Sequence, residues 1–282
     1  MNDQERVWDI RRILVALDAS PHSLAALEAA VELAAMLRAE LLGLFVEDIN
    51  LLRLGELSLA REVYAHSATA SPIDSQHVER QLRTQAERAR QALAERAERA
   101  QVRWAFRVTR GAVASEVLAA AAEADLITLG KVGWSVIGRR RLGATAQAIV
   151  SNASAPALIS RQGARLGRSL LAVYDGSPAA QRALIMATNL ARDPERSLTV
   201  LILTGRMDIA QEWQGQITAW LRARGLSARY RWQPGVTLSQ LAQVIRAEGE
   251  GIVVLPRESP LWPDEVLAAL LNEIECPVLL VR

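Results

Sequence analysis

Two patterns of apolar positions alternate along the chain. Short runs such as Ile13 to Leu17 are apolar throughout, as a parallel strand covered on both faces requires. Between such runs, apolar residues recur every three or four positions. Leu24, Leu27, Val31 and Ala34 form one stripe of this kind. Val78, Leu82, Ala86, Ala89, Leu93 and Ala97 form a longer one, whose other faces carry Arg, Glu and Gln. Leu41 to Val46 is predicted to be a second strand. Val102–Val108, Val113–Ala122, Leu126–Leu129, Ala144–Val150 and Ala157–Ile159 continue as strand, helix, strand, helix, strand. Ser20 offers an N-cap oxygen to the first helix, and Pro21 suits its first position.

The whole pattern then repeats. Arg12-Ile13-Leu14-Val15-Ala16-Leu17-Asp18-Ala19-Ser20-Pro21 returns as Ser169-Leu170-Leu171-Ala172-Val173-Tyr174-Asp175-Gly176-Ser177-Pro178. Ala26, Leu27, Ala30, Leu33 and Ala34 fall opposite Ala183, Leu184, Ala187, Leu190 and Ala191 without a gap. Both copies close on a proline-led strand, Ala155-Pro156-Ala157-Leu158-Ile159 and Cys276-Pro277-Val278-Leu279-Leu280-Val281. In the second copy, strands are expected near 170–174, 198–203, 228–232, 252–255 and 278–281. Alternating strand and helix implies parallel pairing with right-handed crossovers. The expectation is an α/β chain of two tandem doubly wound domains, residues 1–162 and 163–282, joined by Arg161–Gly167. Each domain has a five-stranded parallel sheet of order 3-2-1-4-5 flanked by helices. Ligands of such sheets sit beyond the carboxyl ends of the strands, where the winding reverses.

Composition narrows the function classes. Half the residues are hydrophobic and 23% are charged, with a net charge of only +2. That surplus is no nucleic-acid footprint without a clustered basic patch. No apolar run is long enough for a membrane span, and the polar start Met1–Arg6 is unlike a signal peptide. Cys276 is the only cysteine, and the three histidines lack ligand spacing. The expected compartment is the cytoplasm, with no metal site, nucleic-acid partner or membrane span.

The segment richest in candidate chemistry is Gly130-Lys131-Val132-Gly133-Trp134-Ser135-Val136-Ile137-Gly138-Arg139-Arg140-Arg141-Leu142-Gly143-Ala144-Thr145. It follows a strand and precedes a helix, where glycines admit an anion and free amides favour phosphate. It is not a P-loop, because Asp125 and Val132 stand where Gly and Ser/Thr are needed. The alternative is that its glycines only turn a loop. Arg139–Arg141 either add charge-assisted bonds to phosphate or form a solvated stretch. Asp18, Ser20 and His22 do not form a catalytic trio: Ser20 is a helix cap, and His22 in the first turn is expected to be exposed. No Gly-x-Ser-x-Gly elbow occurs either.

The spacing Gly130-x-x-Gly133, nine residues, then Gly143 resembles the nucleotide-binding branch of the universal stress protein family. Strand-end Asp18 and Asp175, the Phe45-Val46-Glu47-Asp48 strand exit and the proline-led last strands extend the resemblance over nearly the whole chain. The resemblance implies ATP or another adenine nucleotide as ligand, with Mg if it is a triphosphate. Asp18 and Val46 would contact adenine or ribose, and Gly130, Gly133, Gly143, Ala144 and Thr145 would surround the phosphates. The family has Ser or Thr directly after its final Gly; here that residue is Ala144, and the hydroxyl comes one place later at Thr145. Single-copy members dimerise, so the resemblance implies that the two halves pack as an internal pseudo-dimer through Ala157–Ile159 and Val278–Val281. A further homodimer and a protein partner are compatible with it.

The second copy has no such loop. Its counterpart, Pro256-Arg257-Glu258-Ser259-Pro260-Leu261-Trp262-Pro263, lacks glycine, and its three prolines remove three backbone donors. Residues 48–73, with Leu51, Leu52, Leu54, Leu57 and Leu59, occur only in the first copy and read as a short helix over the sheet end, a lid or a partner surface. Trp213, Trp220 and Trp232 are expected in the core or at the domain interface. The expected function is a non-catalytic stress-response protein that binds an adenine nucleotide through its first domain. The rival is an interaction scaffold that has lost nucleotide binding; slow ATP hydrolysis rests on family analogy alone.

Overall fold

The inner strands form where the sequence is apolar at successive positions, and both faces of each are then covered by helices. The computed structural model describes residues 10–55, 61–63, 70–72, 75–131, 142–235, 237–249 and 251–282. The first half runs β1 (Arg12–Leu17), α1 (Pro21–Leu37), β2 (Glu40–Asp48), α2 (Ile49–Gly55), a small antiparallel pair β3 (Arg61–Val63) and β4 (Ala70–Pro72), then α3 (Ser75–Arg99). It continues with β5 (Trp104–Gly111), α4 (Val113–Ala121), β6 (Leu126–Gly130), α5 (Ala144–Asn152) and β7 (Ala157–Ser160). The second half is β8 (Ser169–Tyr174), α6 (Pro178–Leu190), β9 (Ser197–Leu203), α7 (Met207–Arg222) and β10 (Arg229–Gln233). It ends with α8 (Leu238–Ala247), β11 (Gly251–Pro256), α9 (Asp264–Glu273) and β12 (Val278–Val281).

Each half has the doubly wound order, β5-β2-β1-β6-β7 in one and β10-β9-β8-β11-β12 in the other. All pairs within each five-stranded sheet are parallel. The two five-stranded sheets are not separate, however. β7 and β12 pair antiparallel, Val278 opposite Ile159, Leu279 opposite Leu158 and Leu280 opposite Ala157, so that ten strands form one sheet. Each strand would otherwise be an open apolar edge, and all of these residues are buried.

Alternate side chains along a strand serve opposite faces. Ile13, Val15 and Leu17 join Leu27 of α1, Leu93 of α3, Leu184 of α6 and Ile217 of α7 in one core that runs through both halves. The opposite face has two cores, around Val117 of α4 and Ile149 of α5, and around Leu241 of α8 and Leu270 of α9. Gly43 lets α3 lie close, since a Cβ there would come 2.5 Å from the Leu93 side chain.

Helix starts follow the sequence. Ser20, Ser177 and Thr237 each accept a bond from a first-turn amide of α1, α6 and α8. One strand start shifts: β5 begins at Trp104 rather than at Val102. Gln101 adopts φ 55° and the Val102 amide donates to Ala97 O at 2.8 Å, so Val102 is used in closing α3.

The junction should dominate stability. Leu158 is fully buried opposite Leu279, and Leu158→Ala should lower the unfolding free energy by about 2–5 kcal/mol. Leu54→Ala, at a residue 46% exposed, should change it by less than about 0.5 kcal/mol. Urea denaturation of both variants checks this.

Candidate functional site

The winding reverses between β1 and β6, and the carboxyl ends of β2, β1 and β6 lie side by side there. Leu17 pairs with Phe45, which puts Asp18 level with Val46 on the next strand. On the other side β6 ends at Gly130. Asp18, Val46 and Gly130 therefore meet at one sheet edge. Gly143 N donates to Lys131 O at 2.8 Å, which brings the start of α5, with Ala144 and Thr145, to the same place. Gly133 and Arg139–Arg141 lie outside the described residues.

Asp18 is partly buried. Its Oδ1 accepts the Ser20 amide at 2.9 Å, and its own amide donates to Ser23 Oγ at 3.3 Å. Between them, Ala19 adopts φ 58°, a left-handed conformation that costs a non-glycine residue roughly 1–2 kcal/mol. Val46 packs its side chain toward the α4–α5 core. Next to it, Glu47 is paired with Arg110 at 2.8 Å, and Asp48 Oδ1 accepts the Asn50 amide at the start of α2. Of α2's leucines, Leu52 is buried while Leu51 and Leu54 are exposed.

Gly130 has a packing role that the sequence did not reveal. A Cβ there would stand 2.8 Å from the His22 carbonyl carbon and 2.9 Å from its oxygen. Only glycine lets β6 pass the first turn of α1 so closely. His22, expected exposed, is half-buried, because the chain after β7 folds over it and Gln162 N donates to its Nδ1 at 3.4 Å.

At the start of α5 the N-cap is Gly143, which has no side chain of its own to cap the helix. Its first amides are thus suited to an anion. Lys131 turns the other way. Its side chain is buried, and Nζ donates to Asn272 O and Ile274 O of the second half, both at 3.0 Å. Asn272 Oδ1 also accepts the Leu142 amide at 2.7 Å.

The equivalent place in the second half is filled. Asp175 Oδ1 accepts the Ser177 amide, as Asp18 does for Ser20, but its Oδ2 takes the hydroxyl of Ser259 from the proline-rich loop. Gly176 adopts φ 80°, and a Cβ there would stand 2.3 Å from the Trp213 ring. Trp213 also meets Tyr174 edge-on, with centroids 5.4 Å apart. Trp262 is buried and donates its indole N–H to Pro256 O at 3.3 Å. Trp220 lies under Arg224, and Trp232 donates to Thr204 O. Trp213, Trp220 and Trp232 all pack against the core.

A sequence model described as the universal stress protein family matches residues 9–161. The chain belongs to that family. Its fold is shared by a universal stress protein from Archaeoglobus fulgidus, 15% identical, with a TM-score of 0.74 over 95% of this chain and 97% of that one. A putative universal stress protein from Pseudomonas aeruginosa, also 15% identical, aligns over 97% of this chain and 94% of its own with a TM-score of 0.61. A universal stress protein in complex with cAMP, 21% identical, aligns over 55% of this chain and 99% of its own with a TM-score of 0.40. No curated protein matches the chain. Among the described residues, no three His, Cys, Asp or Glu side chains cluster as metal ligands, and no helix is long and apolar enough to cross a membrane.

Two outcomes are expected of this universal stress protein without any ligand. Gly130→Ala should destabilise it by about 1–3 kcal/mol, because the clash is with backbone, and thermal unfolding of the variant measures this. Cys276, in a cleft between the halves, has its thiol pushed up to about 11 by burial. At pH 8 its alkylation should be on the order of a hundredfold slower than that of an ordinary thiol. The rate should rise once urea unfolds the chain, as timed iodoacetamide labelling would show.

Proposed function

We propose that this universal stress protein binds one adenine nucleotide per chain, in its first half (residues 1–162), and acts through binding rather than turnover. Residues 163–282 are then a partner domain whose own site is closed. The observation that carries this reading is the contrast between two equivalent strand ends. Asp18 lies at an edge where the end of β6 and the glycine N-cap of α5 also lie. Asp175 accepts from Ser259, and a tryptophan ring packs on Gly176 beside it.

In this reading the amides of Ala144 and Thr145, at the positive end of α5, take the phosphates. Gly130, Gly133 and Gly143 allow the approach, and Asp18 and the Val46 backbone hold ribose or adenine. A triphosphate would bring Mg with it. The carboxylate of Asp18 can accept hydroxyl hydrogen bonds but repels phosphate, so it sets the direction of the ligand. The second reading is a scaffold without nucleotide. Two observations favour it: Ala144 has no hydroxyl, and Lys131 is directed to the second half.

Calorimetry with ATP, ADP and AMP separates the two readings. Nucleotide binding predicts a stoichiometry near one and a higher thermal midpoint; the scaffold predicts neither. Asp18→Ala should weaken binding by about tenfold or more, as loss of a charge-assisted hydrogen bond of about 1.5–3 kcal/mol implies. Asp18→Asn, which keeps the oxygen that Ser20 uses, tests whether the charge matters. Asp175→Ala should leave affinity unchanged. Ala144→Ser should strengthen binding, by about 1.5–3 kcal/mol at best. A stoichiometry near two, or equal losses from Asp18→Ala and Asp175→Ala, would refute the assignment.

A further inference from the structure

The two ends of the glycine-rich connection are fastened to one point of the other half. Lys131 opens it and Leu142 nearly closes it, and Asn272 at the end of α9 takes both. Asn272 O accepts from Lys131 Nζ, and Asn272 Oδ1 accepts from the Leu142 amide at 2.7 Å. Ile274 O is the second acceptor for Lys131 Nζ. The neck is tied further by Gly143 N to Lys131 O and by Lys131 N to Ser160 O at 2.7 Å. The Leu142 side chain packs against cores of both halves. A buried ammonium on the last carbonyls of a helix is well placed, since those carbonyls lack intrahelical partners and carry the negative end of the dipole.

We propose that Asn272, in the half without a site, is a positioning residue for the nucleotide site of the first half, and that Lys131 serves as its tether rather than as a phosphate ligand. The Leu142 amide lies two residues before Ala144. Fixing it sets where α5 begins and hence where its first amides point. The second half is then part of the site's frame, so the first-half site depends on a residue 130 positions away from Leu142. This rests on the binding reading above, and its test is arranged so that the two can fail separately.

Full-length wild type, Asn272→Ala, Asn272→Asp and Lys131→Met are titrated with ATP by calorimetry. Hydrogen exchange of the Leu142 and Gly143 amides is followed in the same proteins without ligand. Asn272→Ala should speed exchange at Leu142 and weaken ATP binding on the order of tenfold, within the usual span of coupling between sites. Asn272→Asp keeps the acceptor oxygen and should restore both. Lys131→Met should also speed exchange, with no more loss of affinity than Asn272→Ala. Wild-type affinity together with wild-type exchange in folded Asn272→Ala overturns the proposal. So does a much greater loss in Lys131→Met, which would make the lysine a phosphate ligand. If wild type binds no ATP, the binding reading falls. The exchange arm then still decides whether Asn272 holds the start of α5.

Discussion

Three antiparallel residue pairs between β7 and β12 are the constraint on which the rest of the molecule depends. Every other pairing in the large sheet is parallel, so this one junction turns the second half over relative to the first. The carboxyl ends of β1, β2 and β6 consequently lie at one edge of the ten-stranded sheet, and those of β8, β9 and β11 at the opposite edge. The junction also brings each half's last helix beside the residue that follows the other half's fourth strand. Lys131 reaches the end of α9, and Arg257 reaches Ser151 O at the end of α5. Their backbone amides match too, Lys131 N to Ser160 O and Arg257 N to Val281 O, both at 2.7 Å. Two cations thus cap two helices reciprocally, at opposite edges. Glu32 of α1 and Arg196 before β9 add an ion pair between the halves at 3.1 Å.

Within that near-symmetric frame the two strand ends have diverged by small means. The turn after β1 holds Ala19 at φ 58°, and the turn after β8 holds Gly176 at φ 80°. Glycine relieves the strain and leaves room that the Trp213 ring then fills. The aspartates keep the same bond to the amide two residues on. In Asp175 the second carboxylate oxygen has an internal donor in Ser259. A polar group satisfied within the protein has less to gain from a ligand.

Much of this was legible in the sequence, because apolar periodicity and the repeat are local signals. They place the strands to within a few residues and mark Ser20 as a helix cap. The order of strands follows from the alternation of strand and helix. The start of β5 was missed because a helix end claimed Val102, a competition that periodicity does not register. His22 was read as exposed because nothing near it in sequence announces that Gln162 will cover it. The meeting of Asp18, Val46 and Gly130 at neighbouring strand ends was legible, but the surroundings of their side chains were not. Gly130 reads equally well as room for an anion or room for His22, and the structure supplies the second reason directly. The partners of Lys131 lie 141 and 143 residues away, beyond any motif.

Joining the two copies in one chain has a consequence for how they can change. In a dimer of identical subunits every substitution appears twice, so a residue that fills one pocket fills both. Here the proline-rich loop, Ser259 and Trp213 could arise on one side alone. The antiparallel junction also sets the two edges apart, so closing one pocket puts no bulk near the other. Covalent duplication thereby releases the fold from strict self-complementarity while keeping a near-symmetric junction. Each copy is free to change without the other.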